Sequence, residues 1–253
     1  MLSEAEINAY HRNGYVTPDF RLPDELVEWL RQRHALLLEK HPQFSQYCSA
    51  LLAYDTGFLK AAKQPQILDM VCQLIGDNIA LWNSSFFAKP ANNGHATPWH
   101  QDGEYWPITP LTTCTVWIAL DHATRENGCL QVIPGSHKSR KLLQHRTNNA
   151  DNLTLNQELD SDSFDNTQTH DITLEPGQVS LHDVYLLHGS GANQSPRSRR
   201  GMTLRFMPTT SVYNRELARD FGQKDAKLSL AERTLYLMRG KDVSGKNDFS
   251  VRH

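Results

Sequence analysis

Two neighbouring residues and a third far along the chain place the tightest constraint on its fold. His100 and Asp102 flank Gln101, and on a strand the pair projects to one side, because side chains alternate faces. The two can therefore share one ion. A third ligand from a distant strand completes a two-histidine, one-carboxylate facial set, which leaves the opposite positions of an octahedral iron(II) open. His188 is the candidate for that third ligand. The fold must then lay two strands side by side that are remote in sequence.

The chain supplies many strands to choose from. Ile79–Lys89 reads as a long strand stopped by Pro90, with Asn83, Ser85, Phe87 and Lys89 on one face. A polar set on so apolar a strand suggests a face lining a wet cavity. Further strands are expected at residues 112–120, 129–133, 171–174, 179–182, 185–188 and 201–207. Asn127-Gly128 is a hairpin-turn signal leading into the second of these. Residues 138–170 are polar, and a connection this long is either a functional lid over substrate or a solvated insert.

Helical signals gather before the strands. Ser3 with Glu6 forms a capping-box pattern, opening a helix ended by Gly14. Pro23-Asp24 starts a second helix that His41-Pro42 stops, and a third follows Pro65 and ends at Gly76. A last amphipathic helix is expected near residues 228–238, followed by a polar, frayed tail from Gly240. Helices first and then strands predict a mainly β chain with flanking helices. The expected architecture is a single jelly-roll barrel at residues 78–208, with a helical flank at 1–77 and a C-terminal helix and tail at 209–253. No repeat or linker divides the 253 residues.

Charge narrows the range of partners. With 26 basic and 28 acidic residues well mixed along the chain, the formal net charge of -2 gives no field for nucleic acid or an anionic membrane. Four cysteines without a CxxC pair read as reduced core thiols. The first residues carry no basic region followed by an apolar stretch, and no apolar run approaches bilayer length. The expectation is a soluble, cytoplasmic protein acting on a small-molecule substrate.

Lys89-Pro90, His100-Gln101-Asp102, Trp117-Ile118-Ala119-Leu120, Asn127-Gly128-Cys129-Leu130, Pro134-Gly135-Ser136-His137 and His188-Gly189-Ser190 with Asn193 form six ordered blocks. Together they resemble the phytanoyl-CoA dioxygenase family across residues 78–208. The resemblance implies a double-stranded β-helix using iron(II), 2-oxoglutarate and dioxygen to oxidise an organic substrate, with release of succinate and carbon dioxide. His100, Asp102 and His188 would hold the iron. The cosubstrate's far carboxylate is held in such enzymes by an arginine eleven residues after the distal histidine, here Arg199, with Arg200 adjacent. Strand alternation would turn one of these two inward and the other outward.

Other contacts implied for the cosubstrate are the Ser190 hydroxyl on the same carboxylate, Lys89 toward the C1 end with Asn83 on its strand face, and Trp117 and Thr115 walling the channel. Tyr105, Trp106, Phe87 and His137 are candidates for lining a substrate pocket. His182 with Asp183 also looks ligand-like but lacks the following Gly-Ser, so it reads as a structural residue or a partner to the ligands. Because Asp102 stands where halogenating relatives have a small residue, hydroxylation or a related oxidation is favoured. Two other readings use the same residues: a non-oxidative, cupin-like metal enzyme, and a catalytically silent 2-oxoglutarate sensor.

Overall fold

Strand alternation builds this molecule from two facing sheets. The structure is a computed structural model that describes residues 1–221 and 229–252. Its large antiparallel sheet runs in the order Tyr15–Val16, Val179–Asp183, Cys114–Ala119, Arg199–Pro208, Ile79–Lys89, Tyr236–Arg239, with Tyr47–Cys48 also paired to Ile79–Lys89. On one face Cys114, Val116, Ile118, Val179, Leu181, Met202, Leu204 and Phe206 meet the helices in a single apolar cluster. The residues between them, Thr115, Trp117, His182, Arg199, Thr203 and Arg205, line a cavity instead. The second sheet, in the order His170–Ile172, Leu130–Val132, His188–Ser190, Thr97–His100, contributes Thr97, His100, Leu130 and His188 to the same cavity. The site therefore lies between the two sheets of the jelly roll.

The three N-terminal helices form where their signals stand. In Glu4–Asn13 the Ser3 Oγ accepts the Glu6 N–H at 3.3 Å while the Glu6 carboxylate accepts the Ser3 N–H at 2.7 Å. Gly14, at φ 84°, closes that helix in the left-handed region, which costs glycine nothing. Asp24–Lys40 and Pro65–Ile75 bury Leu26, Leu30, Leu37, Ile67, Met70 and Val71 against the sheet. Among the described residues no helix is long and apolar enough to cross a membrane. All four cysteines are buried and free.

Four expectations are corrected. Asn127-Gly128 makes no hairpin: Asn127 caps the turn Arg125–Asn127, accepting from the Thr124 N–H at 2.8 Å and donating to His122 O at 2.8 Å. The strands on either side belong to different sheets. Of the helix expected near residues 228–238, the described part is a single turn, Leu230–Glu232, and then a strand, Tyr236–Arg239, paired with Ile79–Lys89. Leu228 lies outside the described residues. An open edge beside Ile79–Lys89 offers unpaired backbone groups, and pairing them outweighs a weak helical pattern. Residues 184–185 make a turn and 186–187 are irregular rather than strand, so the strand begins at His188 itself. The tail is tied down: Asn247 accepts from the Tyr213 N–H and donates to Ser211 O, both at 2.9 Å.

Residues 138–170 are neither bare loop nor free insert. They hold a two-stranded hairpin, His145–Thr147 with Gln157–Leu159. Leu153 bridges to Ala96, and Thr154 Oγ1 lies 2.9 Å from Thr97 Oγ1. Gln101, between two of the proposed ligands, also pins this segment. Its side chain donates to Lys141 O and Tyr185 O and accepts from the Leu143 N–H, and its backbone N–H donates to His145 Nε2 at 3.0 Å.

The helix–sheet layer also carries an acid-sensitive position. His34 is buried on Asp24–Lys40 with its ring 4.2 Å from that of Phe86. Burial, reinforced by the nearby Arg200 charge, pushes it down to about 4. The unfolded chain takes up this proton first as pH falls, so stability is lost from about pH 6.5 down to about 4. We expect His34→Leu to flatten that acid limb of the melting temperature while leaving stability at pH 8 within about 1 kcal/mol. Thermal melts at stepped pH measure it, and an unchanged acid slope contradicts it.

Candidate metal centre and adjoining cavities

Cross-strand register, not sequence proximity, brings the two histidines together. His188 opens its strand directly opposite His100, which ends the neighbouring strand Thr97–His100, and the ring centroids lie 4.1 Å apart. Asp102 is not on that strand. After an extended Gln101 it starts the turn Asp102–Tyr105, and the turn still carries its carboxylate to the histidines. His100 Nε2 and His188 Nε2 lie 3.8 and 3.9 Å from Asp102 Oδ1. The three ligand atoms all fall within 4.8 Å of one another.

The chemistry of this donor set fits a divalent metal. The Nδ1 of His100 is 2.8 Å from Pro98 O, and the Nδ1 of His188 is 2.9 Å from Leu186 O. A carbonyl only accepts, so each Nδ1 carries the hydrogen and each Nε2 keeps its lone pair for the centre. Burial holds both imidazoles below the ordinary histidine range, and therefore neutral. Asp102 responds in the opposite sense. Burial opposes its ionisation, but Arg205, His182 and the two imidazoles together hold its carboxyl well below the usual carboxylate range.

Two further side chains bracket that carboxylate. Thr115 Oγ1 donates to Asp102 Oδ2 at 3.2 Å. His182 Nε2 lies 3.6 Å from the same oxygen, beyond a good hydrogen bond, and neither of its ring nitrogens has a hydrogen-bond partner among the described residues. The structure thus sets His182 against the ligand carboxylate while His188 takes the position opposite His100. We expect Thr115→Val to lower metal affinity by roughly 10- to 100-fold, the usual cost of losing a group that orients a ligand. Anaerobic calorimetry with iron(II) reads this out, and an unchanged affinity removes Thr115 from the role.

Two cavities meet at the triad. The first, with about 430 Å³ of empty space, runs between the sheets past Ser190, Trp117 and Phe87 to Arg199. Arg199 is 2% exposed; it donates to Phe87 O at 2.9 Å and stands 5.4 Å from the Trp117 ring, while its Nε has no partner among the described residues. Burial lowers it only to about 10, so it stays cationic at neutral pH. A buried guanidinium with a spare donor suits an anion that arrives from outside. Gly201 keeps the passage open, since a Cβ there would stand 2.1 Å from Trp117 Cζ2. Arg200 points the other way and holds Asp121 through Nε and Nη2, both at 2.8 Å.

The second cavity opens on the other side of His100 and Asp102, with Tyr105, Trp106, Asn83, Arg205 and Arg233 in its wall. The sequence-derived residues therefore divide. Thr115, Trp117, Ser190, Arg199 and Phe87 line the first cavity, and Tyr105, Trp106 and Asn83 the second. Lys89 lines neither: its ammonium donates to the carbonyls of His95 and Gly191, which satisfies it inside the fold. His137 is also outside both, its Nε2 3.1 Å from His11 O on the first helix. Arg205 was legible but overlooked, because it follows Arg199 on the same alternating face. Arg233 carried no signal, lying in a stretch read as helix.

The model of the family described as phytanoyl-CoA dioxygenase matches residues 10–201. The chain belongs to the phytanoyl-CoA dioxygenase family. A probable phytanoyl-CoA dioxygenase of Caenorhabditis elegans is 28% identical over 238 residues, covering 81% of this chain and 75% of that protein. A probable alpha-ketoglutarate-dependent hypophosphite dioxygenase of Stutzerimonas stutzeri is 34% identical over 140 residues, covering 54% of this chain and 48% of that one. The chain thus spans three quarters of the first relative and about half the length of the second. The crystal structure of EvdO2 from Micromonospora carbonacea var. aurantiaca complexed with 2-oxoglutarate has a TM-score of 0.68 at 22% identity, covering 82% of this chain and 91% of that one. That likeness bears on the fold alone.

Proposed function

We propose that this member of the phytanoyl-CoA dioxygenase family hydroxylates, or otherwise oxidises, a small organic metabolite and releases succinate and carbon dioxide. Its cofactor set is iron(II), 2-oxoglutarate and dioxygen. The observation that carries the reading is that ligand atoms of His100, Asp102 and His188 lie within 4.8 Å of one another in a cavity that the buried Arg199 also lines. A non-oxidative metal enzyme would have no use for that second feature.

Iron held by the triad supplies the activation of dioxygen, coupled to oxidative decarboxylation of 2-oxoglutarate. The chain's own residues do the rest. His100 and His188 offer neutral nitrogens whose orientation Pro98 O and Leu186 O fix. Asp102 supplies the anionic ligand, steadied by Thr115. Arg199 pairs with the far carboxylate of the cosubstrate, where a guanidinium fork matches two oxygens, and the Ser190 hydroxyl donates to the same group. Trp117 and Phe87 wall this passage and keep water from it. The substrate occupies the second cavity, where Tyr105 and Trp106 stand beside His100 and Asp102.

The relatives' names cover a thioester oxygenase and an enzyme acting on a small phosphorus oxyanion, so family membership leaves the substrate open. The second cavity, about 670 Å³ of space including its open mouth, lies in the range of small-molecule sites, which supports a compact metabolite. The test is succinate formation across a metabolite library with iron(II), 2-oxoglutarate and oxygen, confirmed by mass spectrometry for one added oxygen atom in the consumed compound. Substrate-dependent succinate that vanishes in Asp102→Ala supports the reading. Binding of both ligands with no succinate from any compound would favour the sensor instead.

A further inference from the structure

The fold buries His182 without giving it a hydrogen bond. The side chain is 2% exposed on the strand Val179–Asp183 and lines the first cavity, and neither ring nitrogen has a partner among the described residues. An imidazole shut away from water with both nitrogens unsatisfied lowers stability, whereas an apolar side chain of similar size would not. Stability alone therefore gives no reason for a histidine here. The reason lies across the cavity.

Cross-strand register shows what the ring faces. His182 pairs with Thr115 and Thr115 with Arg205, so three neighbouring strands of the large sheet present these side chains in one row. All three stand at the Asp102 carboxylate, and they divide its two oxygens. Oδ2 accepts from Thr115 Oγ1 at 3.2 Å and has His182 Nε2 at 3.6 Å. Oδ1 faces the ligand imidazoles, with His100 Nε2 and His188 Nε2 at 3.8 and 3.9 Å, and has Arg205 Nη2 at 3.9 Å. A lone pair on His182 Nε2 would repel the carboxylate oxygen, so the ring's hydrogen belongs on Nε2, directed at Oδ2. A shift of about half an ångström brings that pair to hydrogen-bond length, and contacts of this kind commonly tighten when a site is filled.

We propose that His182 is a positioning residue for the metal ligand Asp102: its Nε2–H holds Oδ2 beside Thr115, so that Oδ1 alone meets the metal. This rests on the reading of the triad as an iron(II) site. A carboxylate bound through one oxygen leaves a whole face of the octahedron open for a chelating 2-oxo acid and dioxygen. One free to swing both oxygens onto the metal would obstruct that face.

The test compares His182→Leu, His182→Gln and His182→Asn in the full chain. Leucine removes the donor, glutamine returns an N–H near the place of Nε2, and asparagine puts it near the place of Nδ1. By anaerobic calorimetry the leucine variant should bind iron(II) about 10- to 100-fold more weakly than the native chain, the usual cost of losing a group that orients a ligand. The glutamine variant should stay within about threefold of native, and the asparagine variant should be nearly as weak as leucine. Thermal melts of the metal-free chain should not follow affinity. There His182→Leu should melt at or above the native temperature, because the fold loses an unsatisfied polar group. Native metal affinity in the leucine variant overturns the proposal. So does a lowered metal-free melting temperature with no rescue of affinity by glutamine, which marks a packing role, and so does equal rescue by asparagine. Failure of the underlying reading shows separately, in a native chain that takes up no iron(II), and overturns both. Native uptake that is lost in His100→Ala upholds the triad and leaves His182 to be judged on its own variants.

Discussion

We expect Asp102→Ala, His100→Ala and His188→Ala each to abolish the weak visible charge-transfer band expected of the native protein with iron(II) and 2-oxoglutarate under anaerobic conditions. Of the three, Asp102→Ala should cost the most metal affinity, because its carboxylate is the only negative charge in the described triad. Arg205, His182 and both ligand imidazoles stand within 4 Å of it. Removing it leaves two neutral nitrogens and a buried guanidinium facing a dication. The loss of metal affinity should exceed the roughly 10- to 100-fold that follows removal of an orienting group alone. His122→Ala is the control, since that side chain is exposed and pairs with Glu175 at 2.8 Å. A native-strength band in Asp102→Ala would mean that the metal, if bound, sits elsewhere.

We expect Arg199→Ala to lower 2-oxoglutarate affinity steeply and Arg200→Ala to leave it within about twofold. Truncating one partner of a buried, hydrogen-bonded charge pair costs about 2–5 kcal/mol, or roughly 30- to 4,000-fold in binding. Arg200 lies on the opposite strand face, where its loss removes the Asp121 pair and costs stability of up to about 2 kcal/mol. Titration of the anaerobic band with 2-oxoglutarate measures the first effect, and thermal melts the second. If Arg199→Ala bound 2-oxoglutarate as the native chain does, the cosubstrate anchor would lie elsewhere and the non-oxidative reading would gain ground. Equal losses in both variants would instead point to a shared folding defect.

Local chemistry explains which parts of the fold are legible in the sequence. Capping by Ser3 and Glu6, the stop at Gly14 and the proline-led starts at Pro23 and Pro65 are written within a few residues of each other. The same holds in part for Ile79–Lys89, whose alternation separates Ser85 and Phe87 from Phe86 on the core face, but the register shift at Trp82 that returns Ile79 and Leu81 to that face was not legible. Segments whose fate depends on a distant partner were misread. Tyr236–Arg239 is a strand because an edge was waiting for it, and Asn127-Gly128 crosses between sheets because Asn127 spends its side chain on a cap.

The site shows the same division. Residue identity and spacing alone pointed to a candidate set of two imidazoles and a carboxylate, and to the alternation that lets only one of two adjacent arginines face inward. Tertiary structure decided which one: pairing of Arg199 with Lys89 and of Arg200 with Ala88 turns Arg199 to the cavity and leaves Arg200 to Asp121. It also carried Lys89 and His137 away from the site and brought Arg233 to it from the far end of the chain. The physical reason is that identity and periodicity are local properties of a chain. Register and burial are set only when remote segments compete for the same backbone partners and the same dry space.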